Sequence, residues 1–381
     1  MKEARILYGS TMMGGGHPSE DILWKTRFAV PDPVFFVEVN GSTFLFTNEL
    51  EYGRAKEEAK VDEVINTATF RSERRMTSKE KAAVTRKFLE EHGVRRVVLP
   101  SDFPAKSAEF LRKRFMVRFQ DPPFYQDRII KTDEEIGYLK HAQETVESSL
   151  QKAIDFLRIC SVKNDKICHE GREVTAEQVK EIINLHLYKN GYLAGETIVA
   201  SGTQAAKPHD MGSGVLLAYS PIIIDIFPVH METHYWGDMT RTVFKGEPAE
   251  EFKKMYDTVL KAQTTGIKMV RAGVAGADIH NWILEFFEES GYPRDPKNGR
   301  GFIHSTGHGL GLEIHEYPRI GTPGIILEER YAITIEPGLY YPKANGHILA
   351  GGIRIEDVVI VEKDGCRNLN VFPKDLESMI L

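Results

Sequence analysis

Ile222-Ile223-Ile224-Asp225-Ile226 sets a carboxylate in the middle of an otherwise hydrocarbon, strand-forming run. Burying an acid in such a run is costly unless something positive neutralises it. Four other short segments present a possible ligand in a similar way. They are Gly237-Asp238-Met239-Thr240-Arg241-Thr242, Ser305-Thr306-Gly307-His308-Gly309, Ile333-Thr334-Ile335-Glu336-Pro337-Gly338 and Gly351-Gly352-Ile353-Arg354-Ile355-Glu356. Four carboxylates and one imidazole, Asp225, Asp238, His308, Glu336 and Glu356, suit two divalent cations better than a set of salt bridges. Hard oxygen donors with a single imidazole favour Mn²⁺, Fe²⁺, Co²⁺ or Zn²⁺ over a structural zinc site, which would normally use cysteine. A two-metal hydrolase is the leading reading. The bland alternative, surface acids and a core histidine, leaves the acids in apolar runs unexplained.

Strand geometry explains how these groups could converge. Side chains alternate faces along a strand, so Arg354 and Glu356 share one face while Ile353 and Ile355 take the other. The same rule puts Asp225 opposite Ile224 and Ile226, and Glu336 opposite Ile335. Asp225 and Asp238 are close enough in sequence for two adjacent strands and a loop to bring both to one site.

Working outward, strands are expected at Thr197–Ser201, Gly214–Ala218, Pro221–Phe227, Arg241–Phe244, Tyr331–Glu336 and Ile353–Val361. Helices are expected from Thr132, where Thr132-Asp133-Glu134-Glu135 makes a capping box, towards Cys160, and then at Thr175–Asn190, Glu250–Ala272 and Asp278–Ser290. This mixture suggests an α+β domain with helices over one face of an antiparallel sheet. Residues 1–128 read as a smaller α/β domain. Val34–Val39, Asn40-Gly41 and Ser42–Phe46 form a hairpin pattern, followed by a helix over Lys79–His92, a strand over Arg95–Pro100 and a helix over Ala105–Arg114. Gly14-Gly15-Gly16 is a flexible-loop candidate without the Lys-Ser/Thr of a P-loop. The break at Asp121-Pro122-Pro123 places the domain boundary near residue 128, leaving 129–381 as the catalytic candidate.

The 381 residues suffice for two domains, and 41% hydrophobic with 27% charged composition is that of a globular protein. A formal net charge of −6 gives no electrostatic reason to expect nucleic-acid binding. Cys160, Cys168 and Cys366 make a disulfide framework unexpected. With no secretory leader and no apolar run of the roughly 18–20 residues that span a bilayer, a cytoplasmic protein without membrane attachment is expected.

In combination, the segments resemble the M24 metallopeptidases. This pita-bread group includes Xaa-Pro aminopeptidases, Xaa-Pro dipeptidases (prolidases), methionine aminopeptidases and creatinase. The matching stretches are Ile198–Gly202 through Pro208-His209, Gly237–Thr242, His304–Pro318, Ile335–Gly338 and Gly352–Asp357. The resemblance implies a pita-bread catalytic domain over 129–381 and a creatinase-like N-terminal domain over 1–128. It implies two divalent metal ions per subunit: Asp225 on the first, Asp238 and Glu356 bridging both, and His308 and Glu336 on the second. A bridging hydroxide would attack an Xaa-Pro peptide bond of a short peptide substrate. Glu336 would shuttle the proton, His209 would touch the scissile region, and His315 would hydrogen-bond the developing oxyanion. His304 is a candidate partner behind the ligands. Arg354 would pair with a metal-ligating aspartate or bind a substrate carboxylate, and Thr240 and Thr242 would orient Asp238. A homodimer is expected on the same ground.

Two departures bear on substrate choice. Ile226-Phe227-Pro228-Val229-His230-Met231-Glu232 replaces the small or glycine-containing turn usual after Asp225, so His230, His234, Tyr235 and Trp236 crowd a loop that either shapes the pocket or lies exposed. After His209 the chain reads Asp210-Met211-Gly212-Ser213-Gly214, without the usual proline. The competing functions are therefore a pita-bread hydrolase acting on a non-Xaa-Pro or non-peptide substrate, and a non-catalytic binding module, which would typically have lost ligands.

Overall fold

The computed structural model describes residues 2–12, 17–70 and 78–381; Gly14-Gly15-Gly16 lies outside the described residues. The chain divides into two units, Met1–Arg128 and Ile129–Leu381. The first is built on strands β1 (Glu3–Gly9), β2 (Val34–Val39), β3 (Ser42–Thr47), β4 (Glu63–Asn66), β5 (Arg96–Pro100) and β6 (Met116–Gln120). They form one mixed sheet in the order β4-β3-β2-β1-β5-β6. Its helices are α1 (Glu20–Thr26), α2 (Glu49–Glu58), α3 (Ser78–Glu91) and α4 (Ala105–Arg112).

The two-residue period of β2 explains why both faces are covered. Phe35, Val37 and Val39 enter a core with Leu89 of α3 and Leu111 of α4, while Val34 and Phe36 enter a second core with Ile22 of α1 and Ala55 of α2. Asn40 and Gly41 turn β2 into β3 with φ of 52° and 82°, the paired positive values of the tight hairpin turn that Asn-Gly favours.

The second unit opens with α5 (Asp133–Ile159), whose N-terminus carries both halves of the Thr132–Glu135 capping box. A small antiparallel sheet follows, made of β7 (Ser161–Lys163), β8 (Lys166–His169) and β9 (Arg172–Glu173), then α6 (Ala176–Lys189). Next come β10 (Tyr192–Leu193), β11 (Ile198–Ser201), β12 (Ile222–Ile226), β13 (Val229–His230) and β14 (Met239–Val243), then α7 (Glu250–Met269) and α8 (Gly276–Glu289). The remainder is β15 (Gly307–Gly309), β16 (Glu316–Ile320), β17 (Ala332–Ile335), β18 (Gly338–Tyr341), β19 (Gly351–Arg354), β20 (Asp357–Val361), β21 (Cys366–Asn368) and α9 (Leu376–Met379).

All named strand pairs of this unit are antiparallel, in sheets ordered β11-β12-β14, β16-β15-β17-β20-β21, β18-β19 and β10-β13 besides the small one. One face of the sheets packs with the helices: Val199, Ile222, Ile224, Ile226, Ile333, Ile353 and Ile355 share a core with Leu150, Ile183, Val259 and Ile283. Ile198, Ala200 and Ile223 instead pack with Tyr340 on the other face. Asp225 shares the parity of Ile223, so the strand that buries three isoleucines under helices turns its carboxylate the opposite way.

Three expectations need correction. Ile353–Val361 is not one strand: β19 pairs with β18 and β20 with β17, and the chain pivots between them at Ile355-Glu356. Glu356 donates its N–H to the Thr240 carbonyl at 3.1 Å, a bond across the sheets that an uninterrupted ladder could not make. Gly214–Ala218 is not a strand but a segment with isolated bridges, because its backbone is shared between Val174, Ile167 and Ala176. The helix expected to reach Ala272 ends at Met269: Val270 turns extended and buried, and the N–H groups of Ala272 and Gly273 donate to Glu362 and Leu327 instead of up the helix. Among the described residues no helix is long and apolar enough to cross a membrane, and Cys160, Cys168 and Cys366 are free thiols.

Candidate metal centre

The carboxylates stand where strands end or break. Asp238 immediately precedes β14, Glu336 immediately follows β17, and Glu356 occupies the pivot between β19 and β20; only Asp225 lies within a ladder, opposite Thr240. His308 is the central residue of β15. That strand is squeezed so tightly between its neighbours that a Cβ on Gly307 would lie 1.9 Å from the Thr334 carbonyl oxygen, and one on Gly309 2.3 Å from that of Tyr317. Only glycine on both sides of His308 allows this approach.

Asp238, His308 and Glu356 are all buried and offer ligand atoms within 4.8 Å of one another. His308 Nε2 lies 3.5 Å from Asp238 Oδ2 and 3.6 Å from Glu336 Oε1. These are ion-pair distances, yet burial, followed by the nearby His315, lowers the His308 pKa to about 3, so the ring is neutral. Its Nδ1 sits 3.1 Å from the Gly309 carbonyl and donates to it, which leaves the Nε2 lone pair aimed at the two acids. A lone pair facing carboxylates is repulsive unless a proton or a metal cation lies between them.

Electrostatics point the same way. Burial, and then repulsion from the neighbouring acids, pushes Asp238 and Glu336 well above the usual carboxylate range, and Glu356 upward as well. Asp225 accepts Arg354 Nη2 at 2.6 Å on Oδ2, while its Oδ1 is buried without a hydrogen-bond partner. The residue after Glu356 behaves in the opposite way. Asp357 is as buried as Glu356, but Arg241 Nη2 at 2.8 Å, Lys374, Gln263 and Asn368 surround it. Although burial pushes it up, Arg241 and Lys374 hold its pKa at about 2. Two guanidiniums, Arg354 and Arg319, line the cavity against four acids, whose donor set fits divalent cations.

All five lie around a cavity of about 440 Å³, with His209, His304, His315 and Arg354 also in its wall. His315 stacks edge-on against His308 with ring centroids 4.3 Å apart. His304 reaches the Tyr340 hydroxyl at 2.9 Å and the Ser305 carbonyl at 2.8 Å, and its Nδ1 lies 4.0 Å from Glu336. Arg354 donates to Asp225, to Thr240 Oγ1 at 3.1 Å and to the Tyr340 hydroxyl at 3.0 Å. The threonines do other work than orienting Asp238: Thr240 Oγ1 donates to Glu356 Oε2 at 2.8 Å, and Thr242 Oγ1 to the Arg354 carbonyl at 2.9 Å. The buried Gln143 amide is what lies against the Asp238 backbone, within 3.0 Å of its N–H and 2.8 Å of its C=O.

Chain similarity agrees with this geometry. The model of metallopeptidase family M24 matches residues 137–363. The chain belongs to metallopeptidase family M24. A Xaa-Pro dipeptidase of Pyrococcus horikoshii is 31% identical over 340 residues, covering 88% of this chain and 86% of that protein. Among solved structures, a prolidase from Pyrococcus furiosus superposes with a TM-score of 0.76 at 26% identity, over 96% of this chain and 95% of that one. A Xaa-Pro dipeptidase from Bacillus anthracis reaches a TM-score of 0.81 at 24% identity over 100% of this chain and 95% of that one, a likeness of fold. The Ile129–Leu381 unit of this M24 chain has the pita-bread fold, and the family is one of metal-dependent peptidases.

Sequence reasoning missed several residues of this M24 site. Ile198, Phe227 and Ile314 give the cavity apolar walls, and Arg319 adds a second guanidinium. Arg319 carried no usable signal: His315 lies just before β16, so strand parity does not link the two. Beyond Phe227 the 226–237 loop is not a pocket wall, and only its tip at Met231 and Glu232 is exposed. Val229–His230 pairs with β10, Tyr235 is buried on Glu135, and Trp236 donates to the Leu312 carbonyl.

Proposed function

We propose that this chain hydrolyses the Xaa-Pro bond of short peptides, with Asp225, Asp238, His308, Glu336 and Glu356 holding two divalent cations. The observation that carries the reading is the neutral His308 Nε2 facing two carboxylates at 3.5 and 3.6 Å beside the unpartnered Asp225 Oδ1. Bound there, divalent cations supply Lewis acidity and lower the pKa of water. Glu336, raised by burial, takes the proton of the attacking water and returns it to the leaving nitrogen. His315 and His209 hold the carbonyl oxygen and the scissile region as negative charge develops. Ile198, Phe227 and Ile314 pack the proline ring, and Arg319 pairs with a substrate carboxylate at the cavity rim. Residues 1–128 serve as the creatinase-type N-terminal domain, and the assembly is a homodimer, which light scattering tests.

The test is cleavage of Xaa-Pro dipeptides against Xaa-Pro-Yaa peptides by protein stripped of metal and reloaded with Mn²⁺, Co²⁺, Fe²⁺ or Zn²⁺. Metal-dependent cleavage, with dipeptides preferred through Arg319, is expected. Two bound metals without cleavage of either series would transfer the site to a different substrate. No bound metal would reject the hydrolase reading altogether.

A further inference from the structure

The 226–237 loop and the start of α5 converge on the turn that carries His315. Lys131 is 2% exposed, and its ammonium donates to the Glu316 carboxylate, whose side chain is only 4% exposed. The Lys131 backbone is itself pinned: its N–H donates to the Arg330 carbonyl at 3.0 Å, and Arg330 Nε returns a bond to the Lys131 carbonyl. Glu316 folds back beneath the turn, so that a Cβ on Gly311 would lie 2.5 Å from its Oε1. From the other side, Trp236 holds two carbonyls of the same turn: its N–H donates to Gly311 at 2.9 Å and its indole Nε1 to Leu312 at 3.1 Å. Tyr235, the residue before it, donates to Glu135 Oε1 at 2.6 Å one helical turn beyond Lys131.

We propose that the buried Lys131–Glu316 pair, backed by Tyr235 and Trp236, is the clamp that positions His315 over the metal site. The turn from 310 to 316 is neither helix nor strand along most of its length, and Leu310 at its start donates its N–H outward to the Ala332 carbonyl at 3.0 Å. Its geometry is therefore imposed by these groups. A carboxylate buried without its ammonium is unstable where it stands and must move towards water, taking the adjoining His315 with it. Lys131 is a positioning residue and leaves the chemistry to others.

The inference rests on the proposed role of His315 in hydrolysis, so its test includes a readout that needs no substrate. In metal-loaded Lys131→Met, amide hydrogen exchange at 310–316 is expected to accelerate about tenfold or more, with bound metal unchanged. kcat for an Xaa-Pro dipeptide is expected to fall roughly 10- to 100-fold, the range that small misplacement of a catalytic group produces, while KM stays within about threefold. Lys131→Arg, which keeps the charge, should restore most of both. Tyr235→Phe should shift exchange and kcat in the same direction by less, and carries the test if Lys131→Met does not fold. Unchanged exchange at 310–316, a kcat loss matched by metal loss, or failure of Lys131→Arg to rescue in a folded protein would each overturn the clamp. If the unaltered protein cleaves no Xaa-Pro substrate, the peptidase reading falls, and exchange at 310–316 alone decides the clamp.

Discussion

The two units bury different chemistry. The buried polar residues described in Met1–Arg128 are hydroxyl-bearing: Ser10, Thr11, Thr26, Thr47, Thr67, Thr85 and Ser107. The second unit buries Lys131, Glu135, Asp225, Asp238, Arg241, Lys245, Arg354, Glu356 and Asp357. A hydroxyl can satisfy itself on a nearby backbone carbonyl, as Thr11 does on Phe28 at 2.6 Å and Thr26 on Ile22 at 2.7 Å. A buried charge needs a partner of opposite sign brought from elsewhere in the chain. The contrast recurs inside the second unit at two adjacent residues. Asp357 has Arg241 and Lys374 and is settled as an anion, whereas Glu356 faces other acids and is pushed towards its neutral form. Charge balanced by protein groups reads as architecture. Charge left unbalanced reads as a binding site for cations.

The largest effect should come from removing one unbalanced charge. Asp238→Asn is expected to lower kcat/KM roughly a thousandfold or more, since under the proposed function it removes ligand charge from a metal site that supplies several kcal/mol of transition-state stabilisation. In the metal-free protein the same change should raise Tm, because Asp238 is destabilised by burial and by Glu356, Asp225 and Glu336. Calorimetry with and without chelator measures both signs. A metal-free Asp238→Asn protein less stable than its parent would mean that the acids are balanced by something within the chain.

Arg241→Met attacks the balanced side. Arg241 is fully buried and reaches Asp357 at 2.8 Å, the Glu356 carbonyl at 2.6 Å and the Pro373 carbonyl at 3.1 Å. Leaving a buried acid short of its cation typically costs about 3–5 kcal/mol. Denaturant unfolding should show that loss with metal bound. A change under about 1 kcal/mol would show that Lys374 alone settles Asp357 and would blur the distinction between the two neighbouring acids.

The same distinction governs what the sequence could reveal. An acid inside Ile222–Ile226 is visible as an expensive choice from the residue order alone, and the side chains singled out on that ground stand around one cavity. Strand parity refers Glu356 to that face, although the chain pivots at this residue and parity across the pivot has no force. Partners are harder to read, because they depend on long-range register. Nothing in Gly237–Thr242 says that Thr240 serves Glu356 and not Asp238, since that bond spans 116 positions. Tyr235 and Trp236 read as pocket or surface residues because their acceptors, Glu135 and Leu312, lie 100 and 76 positions away. Arg319 escapes notice because a single arginine in Tyr317-Pro318-Arg319 is indistinguishable from a solvated surface charge until the cavity is seen.

The smallest effect tests the other half of the comparison, that the first unit is held by local and apolar terms. Gly41 has φ of 82°, and a Cβ placed there would meet no atom within 4 Å. Gly41→Ala therefore isolates backbone strain from packing, and the left-handed conformation should cost roughly 1 kcal/mol. No charge is exposed or orphaned by the change, so bound metal and kcat/KM should both stay within about twofold of the parent. A larger stability loss would show that the hairpin register of β2 and β3 depends on this turn more than on the paired Phe35–Phe46 and Val37–Phe44 positions. A loss of bound metal would contradict the assignment of the unbalanced acids to the second unit, because an uncharged turn residue in the first has no electrostatic means of altering them.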